Sequence, residues 1–232
     1  NGCPIKKIDI DDKLVLIIVD SQWYLENWDK HPTINDDCEI KTRTLFFDEY
    51  ESIIKKSRGK TTLVAIHHPM FTNGSHGGQY SFKQQLYPTD KKIPLPILGS
   101  LANLVRKTGG VTTTDNQNKK YRELQKRLVT LSQENDKVVF LSGHDHNLQY
   151  IEEDNLVQIV SGSGSKLNAT RNVGNGLFSY ATSGFARLDV FKNGSSYVRF
   201  YSATDGKIVF ESQVLSPTKK EEIVAYDSNF PK

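Results

Sequence analysis

The chain has 232 residues, 37% of them hydrophobic, enough to bury the core of one domain. Its 30 basic and 27 acidic residues leave a net charge of +3, too balanced and too scattered to argue for a nucleic-acid partner. No run of about 18 apolar residues is present, which excludes a transmembrane helix within this chain.

Residues 1–13 are charged and read as irregular, and 14–19 (Leu-Val-Leu-Ile-Ile-Val) as a buried strand. Cys3 lies in a Gly-Cys-Pro turn and Cys38 in a polar loop, so neither reads as a core thiol. A disulfide closing the N-terminal loop is the preferred reading and implies an oxidising, extracytoplasmic compartment; two free surface thiols are the alternative. Residues 20–41 form a long loop with Trp23, Tyr24 and Trp28, which either wall a pocket or pin the loop by packing. Residues 42–57 read as a helix capped by Thr42 and ended at Gly59, with Phe46, Tyr50 and Ile53 on one face. With the strand 61–66 this predicts a βαβ unit in a mixed sheet.

Residues 69–96 are loop-like and assigned to a site rim, 97–107 to a short helix, and 117–134 to a stronger helix with Tyr121, Leu124, Leu128 and Leu131 on one face. A second buried strand covers 138–141. Residues 148–152 and 157–161 form an antiparallel pair turning at Asp154-Asn155. The Gly-, Ser- and Asn-rich stretch 162–183 reads as a mobile lid or insertion. Three strands follow, 184–191, 196–203 and 207–215, with hairpin turns at Asn193-Gly194 and Asp205-Gly206. The domain runs over 1–215, and 216–232 is a polar tail or linker. The fold class is α/β.

Two strand ends carry histidines. Gly143-His144-Asp145-His146 follows the strand 138–141, and His67-His68-Pro69 follows the strand 61–66, with His76 a little further on. In extended backbone, residues i and i+2 point the same way, so His144 and His146 would aim at one point with Asp145 facing away. Imidazoles converging beyond sheet ends predict a metal site.

Gly143-His144-Asp145-His146 with Asn147-Leu148-Gln149-Tyr150, and His67-His68-Pro69 before it, resemble the last two metal motifs of the calcineurin-like metallophosphoesterases, closest to the purple (tartrate-resistant) acid phosphatase branch. Val160-Ser161-Gly162-Ser163-Gly164 and the terminal strands are similar to the same family. The resemblance implies the back portion of a four-layer α/β/β/α sandwich, a mixed sheet followed by antiparallel strands. It implies a dinuclear centre of Fe, Zn or Mn that hydrolyses a small phosphorylated substrate. His67 and His144 would ligate one ion and His146 the other. His76, the spacing of which from His67 fits, would be the acid near the leaving group, or else a solvent-exposed loop histidine. His68 would support a ligand or line the rim, and Asn147 would orient a ligand or hold a turn.

The family's three earlier ligand motifs are not found, and Asp20 lies past their expected place. The expectation is therefore that this chain is the C-terminal portion of a longer protein and by itself shows little or no phosphatase activity. Two other readings stand beside it. One is a phosphoesterase-fold scaffold without catalysis. The other is a mononuclear zinc hydrolase with a further ligand near His144.

Overall fold

The computed structural model describes residues 2–31, 33–34, 37–74 and 118–217. Its centre is the parallel run β2 (Leu14–Val19), β3 (Thr61–Ile66), β4 (Val138–Ser142) and β6 (Leu156–Ser161), adjacent in that order. β1 (Ile5–Asp9) lies antiparallel on the β2 edge; β5 (Leu148–Glu153) and β7 (Gly176–Tyr180) extend the other edge antiparallel. These make seven strands. β8 (Gly184–Val190), β9 (Ser196–Ser202) and β10 (Ile208–Leu215) form a second, antiparallel sheet. A mixed sheet followed by C-terminal antiparallel strands is what the sequence implied.

The alternation within each strand decides the layers, since neighbouring side chains leave opposite faces. Val15, Ile17 and Val19, Val64 and Ile66, and Val138 and Phe140 face one way. They pack under α2 (Arg43–Lys56) and α3 (Lys119–Ser132), which contribute Phe46, Tyr50, Ile54, Tyr121, Leu124 and Leu128. Val139, Val157, Ile159, Leu148 and Tyr150 face the other way and meet Val198 and Phe200 of the second sheet. A strand buried on both faces explains why residues 138–141 carry no polar side. An aromatic joint closes this interface: Phe178 stacks on Phe210 at 4.6 Å between centroids and meets Phe200 at 5.0 Å. Helices, large sheet and small sheet are the three layers among the described residues.

The local signals were mostly obeyed. Thr42 caps α2, its hydroxyl accepting from the Leu45 amide at 3.2 Å, and Gly59 takes a φ of +78° just beyond the helix. Asp154 and Asn155 turn the β5–β6 hairpin with φ of +54° and +60°.

Four expectations are corrected. Residues 5–9 are an edge strand, not an irregular stretch; the adjacent lysines Lys6 and Lys7 suit an edge exposed to water. The loop 20–41 contains a π-helical turn, Trp23–Asn27, and a short helical turn α1 (Trp28–Lys30), and both Trp23 and Tyr24 are buried against Phe46. Cys38 belongs to the core and is bonded to Cys3 across 35 residues. Residues 176–180 are strand β7, inside the stretch read as a lid. The expected helix at 97–107, most of the rim loop 69–96 and His76 lie outside the described residues, as do residues 218–232. No helix among the described residues is long and apolar enough to cross a membrane.

Asp29 joins the helical turn to both helices, taking a two-armed bond from Arg43 at 3.0 and 2.8 Å and a bond from Lys120. The Arg43 guanidinium, then Lys120, holds its carboxyl well below the usual carboxylate range. The phenols shift the other way, because burial dominates there. It pushes Tyr24 up to about 12, and raises Tyr50, Tyr121 and Tyr150 as well. In the unfolded chain a phenol titrates near 10. Between that value and the folded one, the unfolded chain has lost its protons and the folded chain keeps them. The phenols' contribution is therefore complete below about pH 10 and lost as pH rises further. Urea midpoints measured from pH 9 to 12 are expected to be flat at first and then fall steeply.

Candidate metal centre

The histidines come from the C-terminal ends of two adjacent parallel strands. His67 and His68 follow β3 and His144 follows β4, which pair from Thr62↔Val138 to Ala65↔Leu141. The ladder continues one step into the site, where the Gly143 amide donates to the His67 carbonyl at 3.2 Å. His67 Nε2 then lies 3.3 Å from His144 Nδ1. His68 completes a triangle, its ring centroid 4.3 Å from that of His144 and 4.9 Å from that of His67. One nitrogen from each of the three falls within 4.8 Å of the others.

The three differ in exposure. His67 faces solvent, His144 is half-buried, and His68 is only 1% exposed. His68 is held from just beyond β2: Nδ1 lies 2.7 Å from the Ser21 hydroxyl, and the His68 amide reaches the same oxygen at 3.4 Å. Its ring also meets Tyr121, the hydroxyl of which donates to the Pro69 carbonyl at 2.6 Å. Gln158 of β6 ties the two histidine loops together. Its Oε1 accepts from the Met70 amide at 2.8 Å and its Nε2 donates to the Ser142 hydroxyl at 3.1 Å.

The His144–His146 stretch departs from the extended geometry expected of it. Asp145 N donates to the Gly143 carbonyl at 2.7 Å and Asn147 N to the Asp145 carbonyl at 2.8 Å, two successive three-residue turns. His144 takes a φ of +60°. A non-glycine residue there carries strain of about 1–3 kcal/mol, retained only where the surroundings over-determine it. They do so here. Asp145 is fully buried and its carboxylate accepts from the Thr72 hydroxyl, which Gln149 also engages at 3.1 Å. Gly162 presses on the same turn; a Cβ there would run into the Asp145 carbonyl oxygen. So the carboxylate between the two histidines is a structural anchor. His146 is not among the three clustered rings. Its carbonyl accepts from the Asn168 amide at 2.9 Å, and the same loop is pinned further by the Asn73 carbonyl, which takes bonds from Thr170 and Arg171.

The donor set suits a transition-metal ion. Two nitrogens each about 2.0–2.1 Å from a tetrahedral zinc lie about 3.3–3.4 Å apart, the separation seen for His67 and His144. Two further buried nitrogens, His146 Nδ1 and Asn147 Nδ2, have no hydrogen-bond partner among the described residues. Such a group costs about 1–3 kcal/mol unless something binds it. Asn147 is otherwise held through Oδ1, which accepts from Gln149 at 2.6 Å. Asp20, the carboxylate nearest in sequence to β2, is instead bonded to the Trp23 amide at 2.9 Å.

Sequence reasoning missed Ser21, Gln158 and the anchoring role of Asp145. Ser21 had a usable signal, its place directly beyond a buried strand; Gln158, a lone polar residue within Leu-Val-Gln-Ile-Val, had another.

No protein-family model matches the chain, and no curated protein matches it. Solved structures do. GAP50, the anchor in the inner membrane complex of Plasmodium, is 18% identical, with a TM-score of 0.53 over 94% of this chain and 54% of its own. The purple acid phosphatase PPD1 from yellow lupin seeds is 12% identical, with a TM-score of 0.51 over 90% of this chain and 32% of its own. The chain thus spans about half the length of the first and a third of the second. What these likenesses show is a metallophosphoesterase-like fold of the purple acid phosphatase type.

Proposed function

We propose that this chain carries one side of a metal-dependent hydrolase of phosphate monoesters, with a dinuclear centre of Fe, Zn or Mn. The observation that carries it is the 3.3 Å approach of His67 and His144 at the ends of adjacent parallel strands, on a fold shared with a purple acid phosphatase. His67 and His144 would hold one ion and His146 the other. Further ligands beside these three would be needed to hold two ions. When bound, such ions supply an activated water at neutral pH and relieve the charge on the phosphoryl oxygens.

The chain's own residues do the rest. The strained turn, anchored by Asp145, fixes the direction of the His144 ring. Asn147, fully buried, offers its amide N–H to a ligand or to substrate. His76 delivers a proton to the leaving alkoxide. The Cys3–Cys38 disulfide supports an extracytoplasmic setting.

One observation favours a second reading, a phosphoesterase-fold scaffold: the match to an anchor protein covers nearly the whole chain. Metal analysis and p-nitrophenyl phosphate turnover of the intact protein separate the two. The hydrolase reading expects two equivalents of metal and turnover lost in His144→Ala, with little or no turnover from the 232-residue chain alone. A folded intact protein with neither metal nor turnover overturns it.

A further inference from the structure

We infer that His67, His68 and His144 form a complete three-imidazole seat for a single transition-metal ion, with Ser21 as the residue that orients His68. The inference rests on reading the cluster as a metal centre, but it adds a ligand that reading does not use and needs no residue from outside this chain.

Three observations carry it. First, each of the three rings brings a nitrogen within 4.8 Å of both others, and His67 Nε2 lies 3.3 Å from His144 Nδ1, the bite of two nitrogens on a tetrahedral ion. Second, His68 is oriented as ligating histidines are. Its Nδ1 stands 2.7 Å from a buried hydroxyl that also receives the His68 amide. Where Nδ1 donates to that hydroxyl, Nε2 keeps the lone pair a metal requires. Third, the parts come from three neighbouring parallel strands, Ser21 beyond β2, His67 and His68 beyond β3, and His144 beyond β4. The ends of such strands are where open α/β sheets bind ligands.

The chemistry of the seat follows from its donors. Three neutral imidazoles without a carboxylate favour Zn, Co, Ni or Cu over Mg or Ca. Three protein ligands on a tetrahedral ion leave a fourth position open, the pattern of catalytic rather than structural zinc.

Cobalt(II) titration of the 232-residue chain, followed by the visible absorption of the bound ion, tests this. One equivalent is expected, with the intense bands of a four-coordinate site. His68→Ala should weaken binding more than about 100-fold, beyond the about 10–100-fold expected for Ser21→Ala, which removes only the orienting hydroxyl. His146→Ala should leave this equivalent in place. If His68→Ala fails to fold, as circular dichroism would show, Ser21→Ala and His146→Ala carry the test. Full affinity in Ser21→Ala or His68→Ala, or loss of the equivalent in His146→Ala, overturns the inference while leaving a metal centre standing. No cobalt binding by the folded chain overturns it, and turnover with two equivalents in the intact protein would then show that the wider hydrolase reading survives without it.

Discussion

Trp23→Ala is expected to lower the thermal midpoint by roughly 6–20 °C while leaving metal affinity unchanged. Trp23 is 1% exposed and stacks on Phe46, with centroids 5.6 Å apart and planes 12° from parallel. Phe46 in turn meets Phe47 edge-on, and Tyr24 packs on both. Truncating a large buried aromatic costs about 3–5 kcal/mol, because the cavity left behind closes only partly. In a chain of this size each kcal/mol is worth about 2–4 °C. The sequence left two roles open for this ring, pocket wall or packing pin. The structure places it beneath α2, in the core shared with β2 and β3, so its loss is felt in stability. Calorimetry paired with the cobalt titration separates the roles; a variant of normal stability and weakened ligand binding would restore the pocket wall.

Opening the Cys3–Cys38 bond is expected to be nearly as costly. The bond spans 35 residues of sequence, including β1, β2 and the whole aromatic turn. Cross-links of that span stabilise by about 2–4 kcal/mol, on the loop-closure account chiefly by restricting the unfolded chain. That corresponds to a fall of about 4–16 °C. The two single variants should differ. Cys3 is exposed and Cys38 is 5% exposed in the core, so Cys38→Ser also buries a hydroxyl among apolar neighbours and should melt lower than Cys3→Ser. Equal melting of oxidised and reduced protein would remove the bond from the stability argument.

What could be read from the chain was whatever one short window settles. The runs at 14–19, 61–66 and 138–141 have no polar face, and each is a central strand of the large sheet. The hairpin turns and the Thr42 cap were equally plain. What could not be read depended on partners far away in sequence. Ile5–Asp9 becomes a strand only because Leu14–Val19 offers it an edge, and its lysines hide that pairing. Gly176–Tyr180 sits in a stretch of turn-forming residues and is drawn into register by Leu148–Ile151. At the site, the histidines and their meeting of β3 and β4 ends were legible. The identity of the third ring was not. A His-x-His pair suggests parallel side chains only if the backbone is extended. Here the buried Asp145 and the close pass of Gly162 curl it, while Ser21, 47 positions before His68, turns that neighbouring imidazole inward.

The seating of His67 and His144 on neighbouring strands has a mechanical side. β3 and β4 run parallel, so a pull on their ends loads the ladder between them in shear. The smallest slip that keeps each side chain on its own face is two residues, about 6.6 Å, far beyond what two nitrogens sharing one ion tolerate. An ion gripped there would act as a clasp across the sliding interface. The force needed to part these strands should then rise with metal and drop with chelator.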